Sequence, residues 1–240
     1  AESGAFTESN PSFRQVVLTA RKLLGYTTTA NELMADSAIS AEALLIRLFS
    51  DALAYFEDEA FINGTGAGQP LGILNAPALI SVAKETGQAA TTIVTANLDK
   101  MWSRMLSPSK ARAVCIVHPD TFPQLAALSR AVGTGGSPIW IANMVGGPPN
   151  SIYGRPLIFT EKAKTLGTAG DLYYVDFSYY IIADRQAMTM SASPHVRFTN
   201  DETVYKFVER LDGQPWIDVA LTPREGTNTK SPFISLATRA

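Results

Sequence analysis

Residues 40–72 read SAEALLIRLFSDALAYFEDEAFINGTGAGQPLG, and the pattern changes sharply at residue 63. Before that point, apolar residues recur at spacings of three and four, which is the period of one face of an α-helix. The predicted apolar face consists of Leu45, Leu48, Phe49, Ala52, Leu53, Phe56 and Ala60. The opposite face is predicted to hold Arg47, Asp51, Glu57 and Asp58. We therefore predict a long helix over residues 40–61, lying across a sheet.

The segment that follows the helix, residues 64–72, is predicted to form a tight structural turn. Glycine permits positive φ angles, and proline interrupts regular structure. The turn residues are Gly64, Gly66, Gly68, Pro70 and Gly72. A nucleotide-binding loop would follow a strand and open a helix, whereas this loop follows a helix and lacks the Gly-Lys-Ser/Thr ending. A small-molecule enzyme that uses this loop stays open as an alternative of another class.

The rest of the chain predicts a mixed α/β region followed by late strands. A helix is expected around Leu98 and Met101, a buried strand over 113–117, a helix from Pro119 through Leu128, and a strand over 153–159. Enrichment in β-branched and aromatic residues then predicts strands over 172–175, 181–183, 204–209 and 217–221. At the other end, an extended arm is expected to lead into a strand over 13–24.

Residues 130–150 form a long glycine- and proline-rich loop. Loops of this length in compact domains usually have a function. The loop carries Trp140 between two isoleucines, and we expect these apolar side chains to meet a neighbouring chain. A Trp140→Ala change is expected to weaken self-association and to leave the melting of the monomer nearly unchanged.

Composition and reactive residues give little support for catalysis. The 20 basic and 22 acidic residues give a net charge of −2, so no overall field would hold nucleic acid. The single Cys115 excludes an internal disulfide, and three residues along a strand place it on the opposite face from His118. The carboxylates Glu57, Asp58 and Glu59 are expected on a solvated or salt-bridged face. We predict no catalytic residue, no metal and no cofactor, and no apolar run reaches the length of a membrane span.

Several segments carry a family resemblance when taken in order. They are NELMADS at 31–37, FEDEAF at 56–61, NGTG at 63–66, QPLGIL at 69–74, VHP at 117–119 with Thr121, and YGRPL at 153–157. Together they resemble the major capsid proteins of tailed bacteriophages and prophages, which have the HK97-type fold.

The resemblance implies an α+β fold with two parts. These are a peripheral domain, built of a long spine helix and an extended β-sheet, and an axial domain of mixed α/β structure. The implied division is 1–30 for a remnant of the E-loop and a strand, 31–97 for the peripheral domain with the spine helix at 40–61, and 98–165 for the axial domain. Residues 166–240 are expected to return through the peripheral domain and to end near the axial domain. The loop residues expected at the capsomer axis are Gly133, Gly135, Gly136, Trp140, Asn143, Gly146 and Gly147.

The implied function is that of a non-enzymatic structural subunit of an icosahedral capsid, located in the virion and assembled in the host cytoplasm. Expected partners are copies of the chain in pentamers and hexamers, together with scaffolding protein, maturation protease, portal and decoration proteins. Packaged double-stranded DNA is expected to make only weak contact, and no membrane is expected. The N-terminal arm and most of the E-loop of the family lack counterparts here, so the lysine–asparagine crosslink of some relatives is not transferred. An encapsulin-like bacterial compartment is the alternative with the same fold.

Overall fold

The computed structural model describes residues 14–36, 41–130, 137–138 and 151–240. The helices of this part are α1 (Asn31–Asp36), α2 (Ala41–Asn63), α3 (Thr95–Arg104) and α4 (Phe122–Ala126). The strands are β1 (Arg21–Ala30), β2 (Ile80–Val82), β3 (Val114–Val117), β4 (Ser129–Arg130), β5 (Ser137–Pro138), β6 (Ser151–Ile152), β7 (Arg155–Phe159), β8 (Leu172–Val175), β9 (Tyr180–Arg197), β10 (Glu202–Pro215) and β11 (Phe233–Leu236).

A long antiparallel sheet with the order β1-β10-β9 packs against α2. β1 pairs with β10 without a break, from Arg21 opposite Leu211 to Ala30 opposite Glu202. Because side chains alternate across a strand, Tyr205 and Phe207 of β10 point towards the helix and are buried with Leu53. We call β1, α2, β9 and β10 the three-stranded unit.

A second sheet has the order β2-β11-β8-β3-β7-β6 and mixes parallel with antiparallel pairs. Its central strands are buried on both faces. Cys115 and Tyr174 belong to the core on the face where Leu98 and Met101 of α3 pack, and Ile116 and Tyr173 belong to the core on the other face. We call this sheet and α3 the six-stranded unit.

The C-terminal end of α2 joins the two units. Ile62, in its last turn, is buried in the same core as Tyr173 and Phe233 of the six-stranded unit, together with Ile73. Phe61 packs edge-on against Tyr180 at the start of β9. One helix therefore packs against the long sheet through Leu45, Phe49 and Leu53 and inserts its end into the core of the neighbouring sheet.

The structure confirms the long helix and corrects several details of the sequence-based prediction. Helix α2 ends at Asn63, two residues beyond the predicted end. Leu48, Ala52 and Phe56, predicted on the covered face, are exposed, because the residues of α2 that pack against the core of the sheet are Leu45, Phe49 and Leu53. Glu57, predicted on the opposite face, interacts with Glu209 of β10.

Three further predicted elements are also corrected. The first strand is Arg21–Ala30, because its ladder with β10 starts there, and residues 14–20 have no regular structure. Residues 217–221 are not a strand, since only Leu221 forms a bridge, with Lys230. The helix after Pro119 is a 3₁₀ turn followed by α4 and ends before Leu128.

The resemblance implies an axial domain at 98–165, but the six-stranded sheet also takes three strands from outside that range. These strands are β2, β8 and β11. The division at 97/98 and 165/166 therefore cuts through one sheet of the described structure, and β11 lies inside the sheet between β2 and β8.

Candidate functional site

The glycine turn after α2, residues 64–72, connects the end of the helix to strands β9 and β10. Gly66 and Gly68 have φ angles of +79° and +77°, where side chains are strained. A Cβ atom on Gly64 would lie 2.2 Å from the carbonyl oxygen of Pro70, and one on Gly72 would lie 2.5 Å from the amide nitrogen of Gly64. The predicted turn residues thus share one compact loop in which two glycines are required by space and two by conformation.

Hydrogen bonds from outside the turn lock it in place. Asn75 Nδ2 donates to the carbonyl oxygens of Asn63 and Gly64 at 2.9 and 3.0 Å. The Leu71 amide donates to the Gly213 carbonyl of β10 at 2.8 Å, and the Tyr180 hydroxyl of β9 donates to the Leu71 carbonyl at 2.9 Å. The backbone groups that could cradle a phosphate are therefore partly used to join α2 to the long hairpin. This arrangement supports a mechanical role for the turn.

The residues considered for catalysis are kept apart or engaged in structural contacts. Cys115 is fully buried, and burial raises the pKa of its thiol to about 12, so it stays protonated at neutral pH. His118 Nδ1 accepts a hydrogen bond from the Asp120 amide and caps the turn that starts α4. Within the described ranges, no three His, Cys, Asp or Glu side chains come together as metal ligands. No helix among those residues is long and apolar enough to cross a membrane.

The three consecutive carboxylates of α2 have three different environments. Asp58 forms a 2.6 Å ion pair with Lys162, and Glu59 accepts a hydrogen bond from Asn63 at 3.0 Å. Glu57 faces the sheet, where partial burial, a hydrogen bond to Glu209 and the charges of Glu209, Asp58 and Asp184 raise its pKa to about 7. Sequence reasoning missed the contact of Glu57, because its partner lies on a strand about 150 residues further along the chain.

Large apolar side chains remain exposed on the three-stranded unit. Val196 is 71% and Phe198 is 79% exposed at the tip of the β9–β10 hairpin. Leu44, Leu48 and Tyr55 are exposed on α2, where their spacing of four and seven places them on one side of the helix, away from the sheet. Exposed apolar residues mark a protein-binding surface where they form a contiguous patch, so these positions are candidates for contact with another chain.

The predicted loop at 130–150 lies mostly outside the described residues. This applies to Gly133, Gly135, Gly136, Trp140, Asn143, Gly146 and Gly147. The structure describes residue 130 at the start of this loop, residues 137–138 within it, and the chain from residue 151 onwards. Ser129 and Arg130 pair with Ser137 and Pro138 as a short antiparallel ladder. Arg130 also donates to both carboxylate oxygens of Asp99 on α3.

Comparisons with solved structures identify the fold. The capsid of a native GTA particle, solved with C5 symmetry, is 20% identical with a TM-score of 0.76, and the match covers 99% of this chain and 80% of that one. A protein of Mycobacterium phage Bobi is 17% identical with a TM-score of 0.62 over 92% of this chain and 72% of that one. The holo-SrpI encapsulin complex of Synechococcus elongatus is 13% identical with a TM-score of 0.59 over 93% and 75%. No curated protein matches the chain.

The family follows from the sequence itself. The model of the phage capsid family matches residues 1–224, which is nearly the whole chain. This match confirms the resemblance based on the segments between residues 31 and 157, and the structural neighbours confirm the HK97-like fold. Both findings point to a structural, non-catalytic protein that associates with its own copies. The chain belongs to the phage capsid family and is a structural capsid subunit.

Proposed function

We propose that this chain builds an icosahedral shell from pentamers and hexamers that encloses double-stranded DNA. The observation that carries the proposal is the contrast between the buried six-stranded unit and the apolar surface left open on the three-stranded unit. Many copies that each bury a modest interface give a stable closed assembly, because every further contact is formed at high local concentration.

The proposal assigns a role to each part of the chain. The three-stranded unit with α2 is the peripheral domain, and the six-stranded unit is most of the axial domain. The segment 131–150, which leaves the six-stranded unit next to α3, is assigned to the capsomer axis. The glycine turn, including Gly64 and Gly72, fixes the angle between the three-stranded unit and the six-stranded unit. Such a division suits one sequence that occupies non-equivalent positions in a lattice.

The expected partners beyond the chain itself are scaffolding protein, maturation protease, portal and decoration proteins. Assembly is expected in the cytoplasm of the bacterial host. Packaged DNA should be held only weakly, because the net charge is −2. We expect the purified chain to show no sub-micromolar binding to duplex DNA in a fluorescence-anisotropy titration at physiological salt. Tighter binding would contradict this part of the proposal.

Sedimentation velocity and electron microscopy of the chain, produced alone and with its partners, test the proposal. We expect shells or capsomers from the wild-type chain and at least tenfold fewer from Phe198→Glu, because a charge on an exposed apolar contact opposes its burial. Thr199→Glu, at the neighbouring exposed position, is the matched control for charge alone. The melting temperature should not change in either variant, since both side chains are exposed in the monomer. A chain that stays monomeric under all these conditions would contradict the proposal.

Trp140→Ala is the companion test for the proposed axis loop. Loss of a large aromatic anchor at an interface typically lowers affinity by 2 kcal/mol or more, about thirtyfold. We expect fewer pentamers and hexamers at a given concentration, with the melting temperature of the monomer nearly unchanged. An unfolded variant would refute the assignment of Trp140 to an interface.

An encapsulin-like compartment is a second candidate, favoured by the structural likeness to the encapsulin complex. A shell of that kind would enclose a protein cargo. Mass spectrometry of particles purified from the native host distinguishes the DNA-containing capsid from the encapsulin-like compartment. We expect nucleic acid together with portal protein, and a single abundant enzyme inside the particles would favour the compartment. A small-molecule enzyme that uses residues 64–72 would instead show a thermal shift with nucleotides, which we do not expect.

A further inference from the structure

The face of the long sheet that α2 leaves uncovered carries a cluster of positive charge. Side chains alternate along a strand, so Lys206 and Arg210 of β10 lie on the face opposite to the buried Phe207 and point away from the helix. Lys22 of β1 lies directly opposite Arg210, and Ser191 of β9 lies directly opposite Lys206. These four polar side chains are exposed and line one shallow groove. The three cations are therefore neighbours on one surface.

The positive charges of this surface are not neutralised by neighbouring carboxylates. None of Lys22, Lys206 and Arg210 forms an ion pair within the described part of the chain. The two acidic residues nearest to Arg210 along β10 have other partners, since Glu209 is bound to α2 and Asp212 accepts from two backbone amides at 2.6 and 2.9 Å. Like charges directly opposite each other on neighbouring strands repel, so the Lys22–Arg210 pair favours an anion that binds beside it.

Hydroxyl groups lie next to the cations on the same face. The Tyr26 side chain is 71% exposed and lies directly opposite Lys206, which has Ser191 on its other side. Basic side chains and hydroxyl groups together are the groups that bind the phosphate oxygens of nucleic acids without reading the sequence. We call this surface the cationic face and define it by Lys22, Tyr26, Ser191, Lys206 and Arg210.

The other side of the three-stranded unit has a different chemistry. The outer side of α2 exposes Leu44, Leu48 and Tyr55 and has charged residues of both signs. Apolar side chains of this kind favour contact with protein, whereas a cluster of one sign of charge attracts a polyelectrolyte of the other sign. On the cationic face, Leu24 is the half-exposed aliphatic side chain between the charges of β1 and β10. The net charge of −2 therefore does not describe this face.

We propose that the cationic face contacts the phosphate backbone of double-stranded DNA, and that it is the side of the three-stranded unit that faces the interior of the shell. The second statement rests on the proposed function, because it assumes a shell that encloses DNA. Three cations make the contact of one subunit weak, as expected for a chain without an overall positive field. In a shell, many copies present the same face to one DNA molecule, so the weak contacts act together.

A titration of the unassembled chain with duplex DNA at several salt concentrations tests the contact. Three phosphate contacts predict that the logarithm of the binding constant falls with the logarithm of the salt concentration with a slope of about −2.7. If these contacts supply all the affinity, Kd is about 10–100 μM at about 20 mM salt. Fluorescence anisotropy of a labelled duplex of mixed sequence measures both values. A slope near zero, or no binding at the lowest salt concentration, would overturn the proposal.

A pair of charge-matched variants shows whether this face is the one that binds. Lys206→Gln removes one phosphate contact, so the slope should become shallower by about 0.9 and binding should weaken at least tenfold at about 20 mM salt. Arg47→Gln, the matched control, removes an exposed charge from α2 and should stay within about twofold of wild type. Both variants should melt like wild type, since both side chains are exposed. Equal weakening by the two variants would indicate an effect of net charge alone and would overturn the proposal.

Acetylation of lysines in particles, followed by mass spectrometry, tests which way the face points. Lys22 and Lys206 should react at least fivefold more slowly in particles that contain DNA than in the same particles after the DNA is released, because phosphate groups cover them. Equal protection in both kinds of particle would show that another protein subunit covers this face. Equal reactivity in both would show that nothing covers it. Either result would overturn the proposed orientation.

Failure of this proposal is distinguishable from failure of the proposed function. A wild-type chain that forms no particles contradicts the proposed function, and the titration of the unassembled chain still tests the contact with DNA. If Lys206→Gln loses the ability to form particles but binds DNA like wild type, the face meets another copy and the contact with DNA is refuted. Normal particles and normal DNA binding in this variant would also refute it, and would leave the proposed function standing.

Discussion

The two units of this protein bury their residues to very different extents. The six-stranded unit is covered on both faces, and its strands β3, β8 and β11 are buried along most of their length. The three-stranded sheet is covered on one face by α2, together with Met34 of α1, and the core cluster between them has only Leu53, Tyr205 and Phe207 as buried members among the described residues. The first unit can fold around its own core, whereas the second leaves one face and its tip exposed. Under the proposed function, this difference assigns stability to the six-stranded unit and contact between copies to the three-stranded unit.

The largest predicted effect concerns the end of the chain. Arg239 and Asp171 form an ion pair that is completely buried, and Arg239 also donates to the Thr92 carbonyl at 2.7 Å. Arg239→Ala would leave the buried Asp171 carboxylate without its charged partner, with the Gly167 amide still donating to it at 2.8 Å. Removing one partner of a buried ion pair typically lowers the free energy of unfolding by about 3–5 kcal/mol. Urea denaturation followed by circular dichroism measures this change.

The control for that prediction is Arg224→Ala, which removes an exposed arginine and should change the free energy of unfolding by less than about 0.5 kcal/mol. Equal effects of the two substitutions would show that the chain end does not stabilise the six-stranded unit.

A matched pair of leucines compares the two units directly. Leu98→Ala removes a completely buried side chain from the six-stranded unit and should lower the free energy of unfolding by about 3–4 kcal/mol. Leu53→Ala, in the three-stranded unit, should lower it by about 2 kcal/mol, because fewer neighbours surround the cavity. Denaturant titration of both variants checks the order. A larger effect for Leu53 would reverse the comparison.

The glycine turn between the units offers a test of intermediate size. In Gly64→Ala the new Cβ would collide with the Pro70 carbonyl oxygen, and we expect a loss of about 2–3 kcal/mol. Gly68→Ala meets no atom within 4 Å but has a positive φ angle, so about 1 kcal/mol is expected. Thermal denaturation should place the two variants in this order. If Gly68→Ala were the more damaging, close packing of the turn would not be its main requirement.

The smallest effect is a pH dependence confined to the three-stranded unit. The pKa of Glu57 is raised from 4.5 to about 7, so its protonated form is favoured in the folded state. Its contribution to stability is therefore present below pH 4.5 and is lost as the pH rises through about 7. Because Glu57 is only partly buried, solvent screening keeps the effect to about 1 kcal/mol or less.

Glu57→Gln tests this assignment, since the amide cannot ionise. We expect the variant to melt at a higher temperature than wild type at pH 8 and at a similar temperature at pH 5. Glu42→Gln, in the exposed first turn of the same helix, should retain the wild-type difference between the two pH values. A pH dependence that survives in Glu57→Gln must come from other groups.

The sequence predicted those elements whose residue pattern lies within a short stretch of the chain. Helix α2 was predictable because its apolar spacing and the glycines after it lie within about thirty residues. The position of β11 inside the six-stranded sheet was not predictable, because it depends on pairing with β8 and β2, which are far away in sequence. Residues 217–221 have the composition of a strand but lack a neighbouring strand to pair with.

The same limit applies to the candidate contacts. The glycine turn was identified from its composition, but the clash that excludes a side chain at Gly64 depends on where Pro70 folds back. The carboxylate pair of Glu57 and Glu209 joins residues that no spacing rule connects. The same is true of the hydrogen bonds that Arg130 and Tyr153 donate to Asp99. The sequence does not show whether Phe198 is exposed or part of a core, because its exposure depends on its place at the tip of the β9–β10 hairpin.

The central claim is that the six-stranded unit provides stability and the three-stranded unit provides the contacts between copies. Hydrogen–deuterium exchange on assembled particles, compared with the free chain, tests this claim most directly. We predict that amides of residues 194–200 and of α2 exchange at least tenfold more slowly in the particle, because neighbouring copies cover them. Amides of β3 and β8 should not change, since these strands are already buried within the subunit. Particles in which the hairpin tip and α2 exchange as fast as in the free chain would contradict this account.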